Sequence, residues 1–206
     1  MLLIFDSSTV CRFQEAKVVC IGDPPEDKTS VLISKDPNQA SDTYIPEVAD
    51  NFETSIEVDG QKIKLQLWDT TGSEEYDRLR RLHYSETEVF MLFFSVINEE
   101  SFKKIETKFH PDISEYLNNA HAVLVGTHSD ARASPPDGVT LVSKEQAEQL
   151  VEKLKLFGYV ECSTTTKEGL PEVFETAARA ALQIVSSRDA SAGGDCDKEK
   201  SGCEIM

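Results

Sequence analysis

The sequence is poor in residues that staple a chain or hold zinc. Its five cysteines (Cys11, Cys20, Cys162, Cys196 and Cys203) are an odd number and form no C-x-x-C pair, which argues against a disulfide framework and a zinc site. Basic residues are also scarce: 21 Lys+Arg stand against 37 Asp+Glu, a formal net charge of −16. Such an excess repels phosphate backbones and anionic headgroups, so no nucleic-acid partner is expected and any membrane contact must be greasy, not basic. No apolar run reaches the roughly 20 residues of a membrane-spanning helix. The short run Leu2–Phe5 lacks the length and basic flank of a secretion signal, and Leu2 does not fit the myristoylation pattern. An intracellular protein is expected. There is no internal repeat.

What is present is enough apolar sequence for one domain, 39% of 206 residues. Ala16–Gly22 is an apolar run entering a Gly/Pro stretch, as in a buried strand that ends in a loop. Thr54–Asp59 and Lys62–Asp69 flank Asp59-Gly60, and Ile63, Leu65 and Leu67 alternate with Lys62, Lys64 and Gln66, so an antiparallel hairpin with one wet face is predicted. Val89–Val96 and Ala122–Thr127 are continuously apolar, as parallel strands covered on both faces require, and Tyr159–Cys162 offers a sixth strand. Helical patterns lie over Glu99–Tyr116, over Ser143–Leu156 with a capping box Ser143-x-x-Gln146, and over Leu170–Val185. The predicted fold is three-layer α/β: a six-stranded, mainly parallel sheet with one antiparallel hairpin strand and helices on both faces. It occupies residues 1–185, and 186–206 form a flexible tail rich in Ser, Ala, Gly and charge. A ligand site is expected at the carboxyl ends of the strands.

Five segments fall at or beside those ends. Gly22-Asp-Pro-Pro-Glu-Asp27-Lys28-Thr29 follows the first strand and is similar to the phosphate-cradling G-x-x-x-x-G-K-[ST] loop, with Asp27 in place of the second Gly. Trp68-Asp-Thr-Thr-Gly72-Ser73-Glu-Glu-Tyr76-Asp-Arg-Leu79-Arg80 is similar to WDTAGQE continued by EDYDRLR. Tyr44-Ile-Pro-Glu-Val-Ala-Asp-Asn51-Phe52 is similar to YIPTVFDNY, Gly126-Thr-His-Ser-Asp130 to the TKxD motif, and Glu161-Cys-Ser-Thr164 to the ECSA motif. Together, over about Lys17–Val185, they resemble the Ras superfamily of small GTPases in its Rho/Rac branch. The stretch from Asp130 to Glu161 is shorter than that branch has, so its insert helix is expected to be reduced or missing.

The resemblance implies a P-loop NTPase-type small G domain, a monomer, that binds GDP or GTP with Mg²⁺. Gly22, Asp27, Lys28, Thr29 and Ser30 would line the phosphates. Lys28 suits the β- and γ-phosphates, Thr29, Asp69 and the carboxylate of Glu47 suit Mg²⁺, and the Gly72 amide suits a γ-phosphate. Thr127, His128, Asp130, Ser163 and Thr164 would frame the base. A carboxylate at Asp130 can accept from guanine N1 and N2, and adenine offers no such donor pair. Tyr44, Pro46, Val48, Asp50, Asn51, Tyr76 and Leu79 would meet effectors and regulators. Tyr76, Leu79, Leu82 and Tyr84 form either an exposed partner patch or a packed loop, and Arg78, Arg80 and Arg81 are expected on a solvated face.

The departures gather at the phosphate end. Pro24 and Pro25 remove two backbone donors, and Glu26 and Asp27 add carboxylates, each opposing a phosphate charge by about 3 kcal/mol at about 5 Å before screening. Glu47 stands where a Mg²⁺-ligating Thr is usual, and Ser73 where a Gln orients the attacking water, so turnover is expected to be weak or absent. Cys203-Glu-Ile-Met206 matches the C-a-a-X prenylation pattern, with Cys196 as a possible second acylation site, so a lipid-anchored pool at the cytoplasmic face of a membrane is expected. Two functions stay open: a signalling switch, and a pseudo-GTPase interaction protein on the same scaffold.

Overall fold

A computed structural model describes residues 14–23, 25–34, 49–70, 72 and 74–192. Six strands form one sheet in the order β2-β3-β1-β4-β5-β6: β1 (Gln14–Gly22), β2 (Ala49–Val58), β3 (Gln61–Thr70), β4 (Val89–Ser95), β5 (His121–Thr127) and β6 (Gly158–Glu161). Only the β2/β3 pair is antiparallel. It turns at Asp59 (φ 51°) and Gly60 (φ 76°), two successive left-handed residues whose twist suits a tight hairpin. β2 begins at Ala49, earlier than the apolar alternation suggests, because Asn51 and Phe52 continue the ladder opposite Trp68 and Leu67.

Alternation along the strands divides the core between two faces. Val18 and Cys20 of β1 pack on one side with Phe174, Ala177 and Ala181, while Val19 and Ile21 pack on the other with Phe109, Ile113 and Leu150. The first layer is made by α1 (Pro25–Ile33) and α6 (Leu170–Ala192), the second by α3 (Glu99–Lys104), α4 (His110–Ile113) and α5 (Lys144–Leu154). The three-layer α/β architecture predicted above is therefore the one observed.

The helix ends follow local chemistry. Pro25 opens α1, where a missing N–H costs nothing. Asn98 caps α3 by accepting from the Glu100 and Ser101 amides at 3.0 and 3.2 Å. Ser143 and Gln146 form the capping box of α5 in both directions. The single helix predicted over Glu99–Tyr116 is instead broken by a π turn at Ile105–Phe109 and ends at Ile113. Pro111 has no N–H for the carbonyl one turn back, and the turn before it widens. α2 (Asp77–Leu82) follows a 3₁₀ turn at Glu74–Tyr76 and has no counterpart among the predicted helices.

No helix lies between Arg132 and Lys144, as the short spacing leads one to expect. α6 runs past Val185 to Ala192, where Arg188 pairs with Glu88 and the other oxygen of Glu88 accepts from the Lys17 amide at 2.7 Å. No helix among the described residues is long and apolar enough to cross a membrane.

Gly169 leads into α6 with φ 72°, and a Cβ there would lie 2.0 Å from the Glu161 carbonyl oxygen. Gly169→Ala combines left-handed strain with that clash, so a loss of at least about 2 kcal/mol is expected in denaturant unfolding. A change below about 0.5 kcal/mol would show that the turn relaxes freely.

Candidate functional site

Parallel register sets β1 beside β3 with Cys20 opposite Asp69, so the carboxyl ends of these strands meet at the start of α1. Lys28, only 1% exposed, donates to the Thr70 carbonyl at 2.6 Å and forms an ion pair with Asp69. Thr29 Oγ1 donates to the other Asp69 oxygen at 2.6 Å. The Thr70 hydroxyl donates to the Cys20 carbonyl at 2.7 Å, tying β3 to β1. Gly72 comes so close to Gly22 that a Cβ on it would stand 2.2 Å from the Gly22 carbonyl oxygen. Gly22 is itself pressed on Phe93, its own Cβ position lying 2.4 Å from the Phe93 carbonyl oxygen. Asp23 accepts from Lys104 of α3 at 2.7 Å. Behind this end, burial and the charge of Asp69 push the Cys20 thiol far above its ordinary value, so it is an inert core residue.

A second cluster forms where β5 and β6 end. Cys162 donates its amide to Gly126 at 2.8 Å and Ser129 donates to Cys162 at 3.1 Å, so the two strand-end loops are laced together. Ser163, 1% exposed, accepts from the Thr166 amide at 3.1 Å, and Thr164 beside it is exposed. Thr127 donates to the Phe94 carbonyl at 3.1 Å. His128 takes a left-handed conformation (φ 60°) with Nδ1 3.1 Å from Ser95 Oγ. Arg132 grips Glu161 through two hydrogen bonds of 2.7 and 2.5 Å and also reaches the Val142 carbonyl at 3.0 Å. Within this frame Asp130 Oδ1 is buried and has no hydrogen-bond partner. A buried, unpaired carboxylate oxygen is costly, and it fits a ligand that brings two N–H donors.

Residues 17–183 match the Ras family. The chain belongs to it. Ras-family domains are small GTP-binding switch proteins, and the residues at these strand ends fit the ligands expected from the sequence in donor type. Asp130 has the free acceptor that guanine needs. Thr29 and Asp69 are hard oxygen donors of the kind Mg²⁺ takes.

Glu161 makes the loop that follows β6 sensitive to acid. Burial disfavours its charge, but hydrogen bonds from Arg132 and Tyr159 and the Arg132 charge outweigh it and hold its carboxyl below the ordinary value. A depressed carboxyl contributes stability that is full above its unfolded pKa of about 4.3 and is lost as pH falls through the lower folded value. The melting-temperature gap between wild type and Glu161→Gln is therefore expected to be constant near neutrality and to close only below about pH 4. A gap that closes between about pH 5 and 7 would contradict this.

Other sequence candidates in this Ras-family chain fall in different places. Ser30 is exposed on α1, and Asp27 belongs to α1 by its backbone. Asp50 and Asn51 lie on β2, the edge strand, with Asn51 exposed. Tyr76 is half-buried, while Leu79 and Leu82 of α2 are 47% and 73% exposed. Tyr44, Pro46, Glu47, Val48, Ser73, Cys196 and Cys203 lie outside the described residues.

Of the two readings left open for Tyr76, Leu79, Leu82 and Tyr84, Tyr84 follows the packed one, being fully buried. One expectation is corrected. Arg80, expected on a solvated face, is 2% exposed because Asp77 and Asp112 neutralise it at 2.8 and 3.2 Å and Tyr84 Oη accepts from its Nε at 2.8 Å. Asp112 carried no sequence signal, since its basic partners Arg80 and Arg81 are 32 and 31 residues away, and Lys104, which also pairs with Glu100 one turn back, reaches Asp23 across 81 residues.

Proposed function

We propose that this chain is a Rho-type Ras-family switch that binds GDP and GTP with Mg²⁺, hydrolyses GTP slowly or not at all, and is tethered to a membrane by a prenyl group on Cys203. The buried, unpartnered Asp130 Oδ1 in a laced loop pair carries the guanine part of the proposal. The Rho assignment rests on the segments Trp68–Arg80 and Tyr44–Phe52.

In this mechanism Asp130 accepts from the guanine N1 and N2 donors, and the His128 ring stacks on the purine in place of the usual Lys stem. Thr29 and Asp69 would hold Mg²⁺, which would supply neutralisation of phosphate charge. Lys28, released from Asp69, would then be free to meet a phosphate oxygen. Ser73 is too short to orient a water as the family's Gln does, so hydrolysis is slow. The edge strand β2 and the exposed Leu79 and Leu82 supply the partner-facing surface.

A pseudo-GTPase reading is favoured by one observation: Lys28 is already committed to Asp69 and to the Thr70 carbonyl. Purification without added nucleotide, followed by denaturation and chromatography of what is released, separates the two. GDP or GTP at near one per protein supports the switch. An empty, folded protein that ignores added GTP overturns it in favour of the interaction protein.

The lipid is tested by intact mass after expression with a prenyl donor. A mass increment is expected in wild type and not in Cys203→Ser; an increment retained in the variant would refute attachment at Cys203.

A further inference from the structure

We infer that Ser95 is a positioning residue of the guanine site: its hydroxyl holds the His128 ring in the plane on which the purine stacks. The inference rests on the guanine reading above and adds to it a residue at the end of β4.

A lysine stem can lie along a purine with no partner of its own, because its methylenes adapt to the surface beneath them. An imidazole is flat and turns about its outer side-chain bond, so it offers a fixed face only when a ring nitrogen is held. Strand register supplies the holder. Ser95, the last residue of β4, pairs with Thr127 of β5, and His128 follows immediately. Ser95 Oγ therefore lies 3.1 Å from His128 Nδ1 across 33 residues of sequence. A hydroxyl serves either ring tautomer, accepting from Nδ1–H or donating to a bare Nδ1.

Ser95 is itself fixed. It is 2% exposed, its amide donates to Ser101 Oγ at 3.0 Å, and that hydroxyl donates to the Asn98 carbonyl at 2.7 Å, at the amino end of α3. The His128 backbone is fixed as well: its carbonyl accepts from the Ala131 amide at 3.1 Å, and the Thr127 carbonyl before it accepts from the Val96 amide at 3.1 Å. His128 has φ 60°, a left-handed conformation that a residue with a side chain keeps where its surroundings hold it. The ring thus stands prearranged two residues before the orphaned Asp130 Oδ1, and a base meets a face and an edge acceptor without rearrangement.

The test is titration of the full chain with a fluorescent GDP in Mg²⁺, comparing wild type, Ser95→Ala, His128→Lys and the double variant. Ser95→Ala is expected to weaken binding by at least about fivefold, through a lost hydrogen bond and a freed ring. In the His128→Lys background, where no ring needs holding, the same change is expected to alter affinity less than about twofold. A loss under about fivefold in the single variant, or above about twofold in the lysine background, would overturn the inference and leave the guanine reading intact. Failure of the wild type to bind GDP overturns the guanine reading, and the inference with it. A second readout needs neither nucleotide nor the lysine variant: the His128 Nδ1 signal in nitrogen NMR is expected to move in Ser95→Ala, and an unmoved signal would overturn the inference.

Discussion

Asp130→Asn is expected to weaken guanine-nucleotide binding by at least about a hundredfold and to turn preference toward xanthine. The carboxylate offers two acceptors to the paired N–H donors of guanine, and its Oδ1 is buried with no other hydrogen-bond partner. An amide presents one acceptor and one N–H₂ donor, so one guanine donor would face another donor in a buried site. Xanthine replaces the guanine amino group with a carbonyl, which the Asn amide can satisfy. Competition of GTP and XTP against a fluorescent guanine nucleotide measures both effects. Equal loss of both ligands would mean that Asp130 holds the loop and does not read the base.

The largest stability effect is expected from Asp112→Ala. The Asp112 carboxylate, 6% exposed, accepts from Tyr84 Oη at 2.9 Å, Arg80 Nη2 at 3.2 Å and Arg81 Nε at 2.6 Å. Removing it leaves Arg80 buried with one carboxylate fewer, and breaking such a pair costs about 3–5 kcal/mol. For a chain of this size that is a fall of roughly 6–20 °C in melting temperature. Asp112→Asn, which keeps one of the two acceptor oxygens, is expected to recover part of it. A fall below about 2 °C in the Ala variant would show that Asp77 and solvent carry Arg80 without help. The network also fixes α2, so the exposed Leu79 and Leu82 are displayed from a helix pinned to α4.

Much of this fold could be read from the sequence because its strands announce themselves. The unbroken apolar runs of β4 and β5 and the alternation of β3 around Asp59-Gly60 are local signals that burial then enforces. Ser143 and Gln146 likewise declare the start of α5 within four residues. Arg80 was illegible because nothing near it shows that Asp112, 32 residues on, comes to it from beyond a π turn. The extension of α6 was hidden for the same reason: Arg188 finds Glu88 100 residues back. At the site, residue types could be read but not their present partners. That Lys28 faces Asp69 depends on the parallel register of β1 and β3, which no local pattern encodes.

The Arg188–Glu88 contact gives the molecule a top and a bottom. Glu88 immediately precedes β4, and Lys17, which shares it, lies in the first half of β1. The far end of α6 therefore sits by the amino ends of these strands, while Lys28 and Asp130 sit at carboxyl ends. That far end of α6 thus lies at the pole opposite Lys28 and Asp130.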